Sequence, residues 1–253
     1  MTTPASRLTT VDRLFDVVEF LQSNGSTGVT ELAEELELTK SSAHAYLSAL
    51  KTRGYAIQDN QSRYHLSLQF LDVGSSVQRG QKVFEAAHDA LHHIAEQTGE
   101  KAWLVVEEGD QSVFLASVQG ENAILIDTQV GQRTELYEIA GGKAILANLP
   151  ESRRTELLSQ YEYPLYPDSV GLTRSELESE LQKVRETGIA YNDQFYINAV
   201  KGIGAPIIDT NDEVRGALSI SGPYNRLEQL GEEQIIELLI STTSEVGVNI
   251  NYL

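Results

Sequence analysis

Two serines, Ser219 and Ser221, stand two residues apart in "VRGALSIS". On a strand that spacing sends both hydroxyls to one face, where they can bond a single ligand. A second stretch, "AGGKAILANLP" from Ala140, reads as a short helix stopped by Pro150, whose first N–H groups, at Gly141 and Gly142, are free and favour an anion. Together they describe a pocket for a small carboxylate. The alternative is glycines that only make turns and serines that only close backbone bonds. Lys143 does not make a phosphate loop, because that loop needs a glycine five residues before its Gly-Lys pair and Tyr137 stands there. It reads as a structural or dimer-facing lysine.

Other chemistry is harder to build. His88 and His92 are one helical turn apart with His93 adjacent, the spacing of a metal pair. They fall off the apolar face of Val83, Ala87, Leu91 and Ile94, so they read as solvated histidines and no metal or cofactor is expected. A hydrolase using Ser219 or Ser221 would need a histidine base, yet His44, His65, His88, His92 and His93 all precede those serines. The chain has no cysteine, which removes disulfides, thiolate metal sites and a Cys nucleophile. No catalytic residue is assigned, and the chain reads as a non-enzyme.

A different kind of site lies in "LTKSSAHAYLSALKTRGY", Leu38 to Tyr55. Thr39 is placed to cap a helix that Gly54 ends, with Ala43, Leu47 and Leu50 on its inner face. At 100 degrees per residue the opposite face is Ser41, Ala45, Ser48 and Thr52, flanked by Ser42 and His44. Such small side chains let a helix sit deep in a DNA major groove, where hydroxyls bond base edges and the Ala45 methyl meets a thymine methyl. Lys40, Lys51, Arg53 and Arg63 are spaced to hold phosphates, and Arg7 to reach an adjacent groove. The alternative for each cation is a solvated surface charge.

The surrounding elements support that site. "RLTTVDRLFDVVEFLQ" carries Leu8, Val11, Leu14, Phe15, Val18 and Leu21 at helical spacing, and Thr30 is placed to cap the short helix "ELAEELE". After the Thr39 helix, "YAIQD" and "RYHLS" alternate around "NQS" as a hairpin. Helix, short helix, tight turn, helix and hairpin make a winged helix-turn-helix. "GSSVQRGQ" reads as a polar connector within a helical pattern from Leu68 to Ile94, which Gly99 closes. Beyond it, "AWLVVEE", "SVFLASV" and "AILIDT" read as strands. Thr173 and Glu176 form a capping box for a helix with Leu177, Leu181 and Val184 inward and Gly188 at its end. "GIGAPIID" and "VRGALSIS" flank the turn "TND", and a last helix covers about Glu232 to Val248. The mixture is α+β with a largely antiparallel sheet. Expected boundaries are 1–67 for the winged helix, 68–82 for a helical linker and 83–253 for a sensor-like domain.

Charge follows that division. The chain of 253 residues carries a formal charge of -18, yet residues 1–80 hold seven Lys and Arg against nine Asp and Glu, and the remainder holds 12 against 28. A nearly neutral end and a strongly acidic one suggest two tasks. The acid excess resembles halophilic proteins, whose dense surface carboxylates keep them solvated, although an ordinary acidic protein has the same balance. "MTTPASRLTT" has no signal pattern and no apolar run reaches about 18 residues, so a soluble, cytoplasmic protein away from membranes is expected.

Over almost its whole length the chain resembles the IclR family of transcriptional regulators. The resemblance rests on "VTELAEELELTKSSAHAYLSALKTRGY", the wing "SRYHLS", and "GGKAILANLP", "LQKVRETGIAYND" and "GAPIIDTNDEVRGALSISGP", in that order. It is that of a halophilic, archaeal type. The resemblance implies a winged helix, a helical linker and a GAF-like effector domain. It implies homodimers or dimers of dimers on palindromic operators in double-stranded DNA, controlling catabolic genes in response to small-molecule effectors, often carboxylates. It places effector contacts on Ala140, Gly141, Asn192, Gly202, Ser219 and Ser221, with Asp193 next to Asn192. The family often has arginine at Ala45, an acid at Asn192 and two acids at Gln194 and Phe195, so this pocket is expected to be less acidic and more aromatic, with Tyr196 nearby. Two readings of another class remain beside it: a protein-interaction sensor, and a small hydrolase built on the α+β domain.

Overall fold

The computed structural model describes residues 9–124, 128–161, 173–193 and 200–253, and the chain divides into two compact units, Met1–Val77 and Gln78–Leu253. In the first, α1 (Thr9–Asn24) buries Val17 and Leu21 against Leu32 and Ala33 of α2 (Val29–Glu35) and Ala43, Leu47 and Leu50 of α3 (Lys40–Thr52). Ala56 and Tyr64, from the hairpin of β1 (Ala56–Gln58) and β2 (Tyr64–Leu66), complete this core. Each fully buried leucine contributes about 2 kcal/mol of transfer free energy. Val11 and Phe15, part of the periodic apolar pattern, point out at 45% and 60% exposure, because α1 carries two apolar stripes and Val17 lies on the buried one.

Thr30 does not cap α2. The cap position is Gly28, whose N–H donates to the Glu31 carboxylate at 3.3 Å, so the helix begins one residue before Thr30. The Gly28 N–H, with smaller help from Thr27 and Arg63, outweighs desolvation and holds the Glu31 carboxyl below its ordinary pKa. Next comes α4 (Gln69–Arg79), which takes in most of "GSSVQRGQ" and has no buried residue. The helical pattern then breaks between Arg79 and Lys82, where α5 (Lys82–Ala86) starts, and again at Ala87, before α6 (His88–Thr98).

The second unit is built on six antiparallel strands in the order β5-β4-β3-β8-β7-β6. They are β3 (Lys101–Glu108), β4 (Gln111–Gln119), β5 (Arg133–Glu135), β6 (Ala190–Asp193), β7 (Val200–Ile208) and β8 (Val214–Pro223). Period-two alternation sorts their side chains. Ala102, Leu104, Ile203, Ala205, Ile207, Leu218 and Ile220 face the core shared with α5, α6, α10 (Tyr224–Leu230) and α11 (Glu232–Asn249). Trp103, Val105 and Ala217 face a second core, with α7 (Ala140–Asn148), α8 (Glu151–Gln160) and α9 (Arg174–Thr187). The order and mixture are α+β.

Thr173 and Glu176 cap α9 reciprocally: the Glu176 carboxylate accepts from the Thr173 N–H at 2.8 Å, and Thr173 Oγ1 accepts from the Glu176 N–H at 3.3 Å. Pro150 is more than a stop, since it also stands at the N-cap position of α8, an element whose apolar signal is only Leu157 and Leu158. The centre of the expected strand "AILIDT", residues 125–127, lies outside the described residues.

One device closes both "DNQSR" and "DTNDE". The Asp59 carboxylate accepts from the N–H groups of Gln61 (2.9 Å) and Arg63 (2.8 Å), and Asp209 accepts from Asn211 (2.8 Å) and Glu213 (3.1 Å). The fourth residue of each, Ser62 and Asp212, turns left-handed. Asp209 is nearly buried and also accepts from Arg215 Nε at 2.7 Å. Burial pushes its pKa up, but the N–H of Glu213, Arg215 and the N–H of Asn211 more than reverse this and hold it at about 2. A carboxyl with a depressed folded-state pKa contributes stability that is present above about pH 4 and lost as the pH falls through about 2. Asp209→Asn is therefore expected to lower the urea midpoint at pH 7 and to flatten the acid decline between about pH 4 and 2. A variant that keeps the wild-type acid decline would show that this carboxylate does not set it.

Candidate functional site

The exposed face of α3 is built by its cap. Thr39, extended at φ -71° and ψ 149°, accepts the Ser42 N–H at 3.1 Å, and the hydroxyls of Ser41 and Ser42 each lie 2.9 Å from its Oγ1. Burying Ala43, Leu47 and Leu50 leaves Ser41, His44, Ala45 and Thr52 exposed and Ser42 and Ser48 half-buried. Lys40, Lys51 and Arg53 are exposed around them, with Lys51 Nζ donating to Gln58 Oε1 at 2.8 Å.

Arg63, expected as a phosphate contact, is half-buried and bonded within its own unit. Its guanidinium donates to Ser26 Oγ (3.2 Å), the Ser26 carbonyl (2.7 Å) and Glu31 (2.9 Å), tying the wing to the start of α2. Three cations, Lys40, Lys51 and Arg53, remain to frame the α3 face. Arg7 lies outside the described residues.

The second site stands on the sheet. Strand register aligns Asn192 of β6 with Gly202 of β7, Gly202 with Ser221 of β8, and Ser221 with Lys101 of β3. The row two residues along is Ala190, Gly204, Ser219 and Trp103. Directly opposed residues share a face, so the two rows form one floor. The start of α7 lies across it: a Cβ on Gly204 would come 3.0 Å from Ala140 C and Gly141 N, and one on Gly141 would come 2.9 Å from Val105 Cγ2.

A pocket with an empty volume of about 480 Å³, part of it open to solvent, occupies this junction. Ala140, Asn192, Gly202, Ser219 and Ser221, all expected as effector contacts, line it together. Gly141 sits just behind, its missing Cβ 3.4 Å from Ser219 Oγ, and Asp193 pairs its backbone with Lys201. Gln194, Phe195 and Tyr196 lie outside the described residues. Trp103, Phe114, Thr128, Ile139, Val200 and Ile220 also line the pocket and were not singled out from the sequence. Only strand pairing reveals that Trp103 faces Ser219, and no local pattern carries that pairing.

The polar groups have separate roles. Trp103 Nε1 donates to Ser221 Oγ at 2.9 Å, which positions both. Asn192 is 7% exposed and its Oδ1 has no partner among the described residues, leaving an acceptor for a ligand or water. Lys143 is structural: its Nζ donates to Glu180 at 2.7 Å and the Tyr191 carbonyl at 3.0 Å, locking α7 to α9 and β6.

No acid lines the pocket among the described residues. His88, His92 and His93 are exposed on α6, which packs on the opposite face of the sheet and so offers the serines no base. Among the described residues no group of three or more potential ligands could hold a metal, and no helix is long and apolar enough to cross a membrane.

The glycines of the floor make opposite predictions. Gly204→Ala would press on α7 backbone at 3.0 Å and is expected to lower stability by about 1–2 kcal/mol. Gly202→Ala meets Asn192 Cβ at 3.4 Å, Ala140 Cβ at 3.5 Å and the Ile220 carbonyl oxygen at 3.8 Å, so it should fold normally with a smaller pocket. Equal denaturant midpoints for the two variants would show that α7 is not seated as described.

Comparison with known proteins adds an independent line. The model described as "IclR helix-turn-helix domain" matches residues 10–60, and "Bacterial transcriptional regulator IclR C-terminal" matches residues 75–248. A probable HTH-type transcriptional regulator ArcR of Halobacterium salinarum is 30% identical over 225 residues, covering 88% of this chain and 86% of that protein. The crystal structure of the Thermotoga maritima IclR is similar with a TM-score of 0.83 at 30% identity, covering 97% of this chain and 100% of that one. An IclR homolog from Microbacterium hydrocarbonoxydans complexed with 4-hydroxybenzoate shares the fold, at a TM-score of 0.73 and 19% identity over 90% of this chain and 92% of that one.

Proposed function

Because the chain belongs to the IclR family, as a transcriptional regulator with a DNA-binding helix-turn-helix and an effector domain, we propose that it reads a palindromic operator as a homodimer or dimer of dimers. A small carboxylate in the sheet pocket then controls its hold on catabolic genes, in the cytoplasm. The observation that carries the DNA half is the face of α3: small, polar and exposed opposite a buried Ala43–Leu47–Leu50 stripe.

On this reading α3 enters the major groove. Ser41, Ser42, His44, Ala45 and Ser48 meet base edges, while Lys40, Lys51 and Arg53 hold phosphates. Exposed apolar side chains of the first unit, Phe15 (60%), Leu71 (65%) and Val77 (60%), support an assembly that covers them. The uncapped start of α7 beside two serines supports a carboxylate effector. The 4-hydroxybenzoate held by the Microbacterium homolog is a ligand of that chemical class.

Effector binding changes the spacing of the two recognition helices through the segment from α4 to α6. The breaks after Arg79 and at Ala87 make that segment jointed, where an unbroken helical pattern had been expected.

Two measurements test the proposal. Ser48→Glu puts a carboxylate on the α3 face and is expected to weaken operator binding at least about tenfold while leaving thermal unfolding unchanged. With three framing cations in each of two protomers, the logarithm of operator affinity should fall against log salt with a slope of about -5. Unchanged operator binding by the variant, or a slope near about -10, would contradict this mode of reading.

A further inference from the structure

Among the described residues three lysines are buried: Lys101, Lys143 and Lys201. Two have carboxylate partners, Lys143 with Glu180 at 2.7 Å and Lys201 with Glu232 at 3.0 Å. Lys101 has none. At 6% exposure its Nζ donates only to the Thr128 carbonyl, at 3.3 Å, and lies 4.0 Å from the centroid of the Trp103 ring. A carbonyl and an aromatic face soften the desolvation of an ammonium but do not neutralise its charge.

Lys101 does not itself line the pocket but stands directly behind its lining. It opposes Ser221 directly in strand register, and it touches Trp103 and Thr128; all three of those residues line the cavity. Among the described residues the row Asn192, Gly202, Ser221, Lys101 thus runs from a buried carboxamide with an unpartnered oxygen to a buried ammonium without a counter-ion.

We propose that Lys101 is the counter-ion of the bound effector, so that the pocket selects small molecules carrying one carboxylate and rejects their uncharged analogues. The assignment rests on the reading of this pocket as the effector site. Burial pulls the Lys101 pKa below its ordinary value, as expected for an ammonium that nothing nearby compensates. The ligand's carboxylate completes an ion pair at the Lys101 end, and its apolar part lies against Trp103 and Phe114. A hydroxyl on the ligand would find its acceptor in Asn192 Oδ1. A buried ion pair completed only by the ligand is a strong selector, because an uncharged analogue leaves the ammonium desolvated and unpaired.

Trp103 is the only tryptophan in the chain, so its fluorescence reports from inside the pocket. The full-length protein would be titrated with two matched pairs of probes, lactate against lactamide and benzoate against benzamide, with thermal unfolding as a second readout. At least one acid is expected to saturate the signal with an affinity about tenfold or more above that of its amide. Lys101→Met should remove that preference without lowering the melting temperature, since an unpaired buried charge is replaced by a side chain of similar length. Lys101→Arg should keep the preference.

Acid binding that is unchanged in Lys101→Met would overturn the assignment. So would a marked loss of its thermal stability, which would make Lys101 a structural tether to Thr128. If the amides bind as well as the acids, or alone, the pocket remains a ligand site and the role of Lys101 falls. If no probe of either class binds the wild type, the carboxylate reading of the pocket falls with it.

Discussion

The effector unit depends on how closely α7 can approach the sheet. Its first residues lie against β7 at Gly204 and against β3 at Val105, distances that leave no room for a Cβ at Gly204 or Gly141 without displacement. That seating puts the start of the helix, where backbone donors lack intrahelical partners, at the edge of a floor made by four strands. The Lys143 ammonium fixes the helix from its other side through Glu180 and the Tyr191 carbonyl. Removing either partner of such a buried pair leaves an uncompensated charge, so the arrangement has little freedom to drift. The pocket is therefore shaped by backbone packing rather than by the side chains that line it.

That separation explains which parts of the molecule could be read from its sequence. Caps and stripes are local: Thr39, the Thr173–Glu176 box, and the inward Leu177, Leu181 and Val184 all stand where spacing alone puts them. Ser219 and Ser221 share a face because a strand alternates. Errors arose where two local signals compete. In "GVTEL" a threonine is the better intrinsic cap, yet the Glu31 carboxylate reaches the Gly28 N–H and starts α2 ahead of it. On α1, Val11 and Phe15 have helical spacing as good as that of Val17 and Leu21, and only the position of α2 and α3 decides which stripe is buried.

The rest was illegible because it is long-range. Ser221 faces Trp103 and Lys101 across more than a hundred residues of chain, and the pairing of β3 with β8 depends on the whole sheet. Lys101 looks like any strand lysine until its surroundings are known. Arg63 has the opposite history. Its place on the wing suggests a phosphate, whereas its bonds to Ser26 and Glu31 make it part of the frame that holds the wing against α2.

The ties that hold Arg63 bear on how α3 is proposed to work. A face with few cations, in a chain of net charge -18, gains little from released counterions, and that gain shrinks further as salt rises. On the proposed reading α3 offers fit in its place: serine hydroxyls anchored on Thr39, a methyl at Ala45 and small side chains along the face between them. Groups tied to the cap lose little freedom on binding, and short hydroxyls demand a close approach before they discriminate between bases. On that reading the rigidity of the first unit is part of its recognition. The Asp59 turn, the Arg63 tie and the Thr39 cap all limit movement around a helix that has little electrostatic attraction to spare.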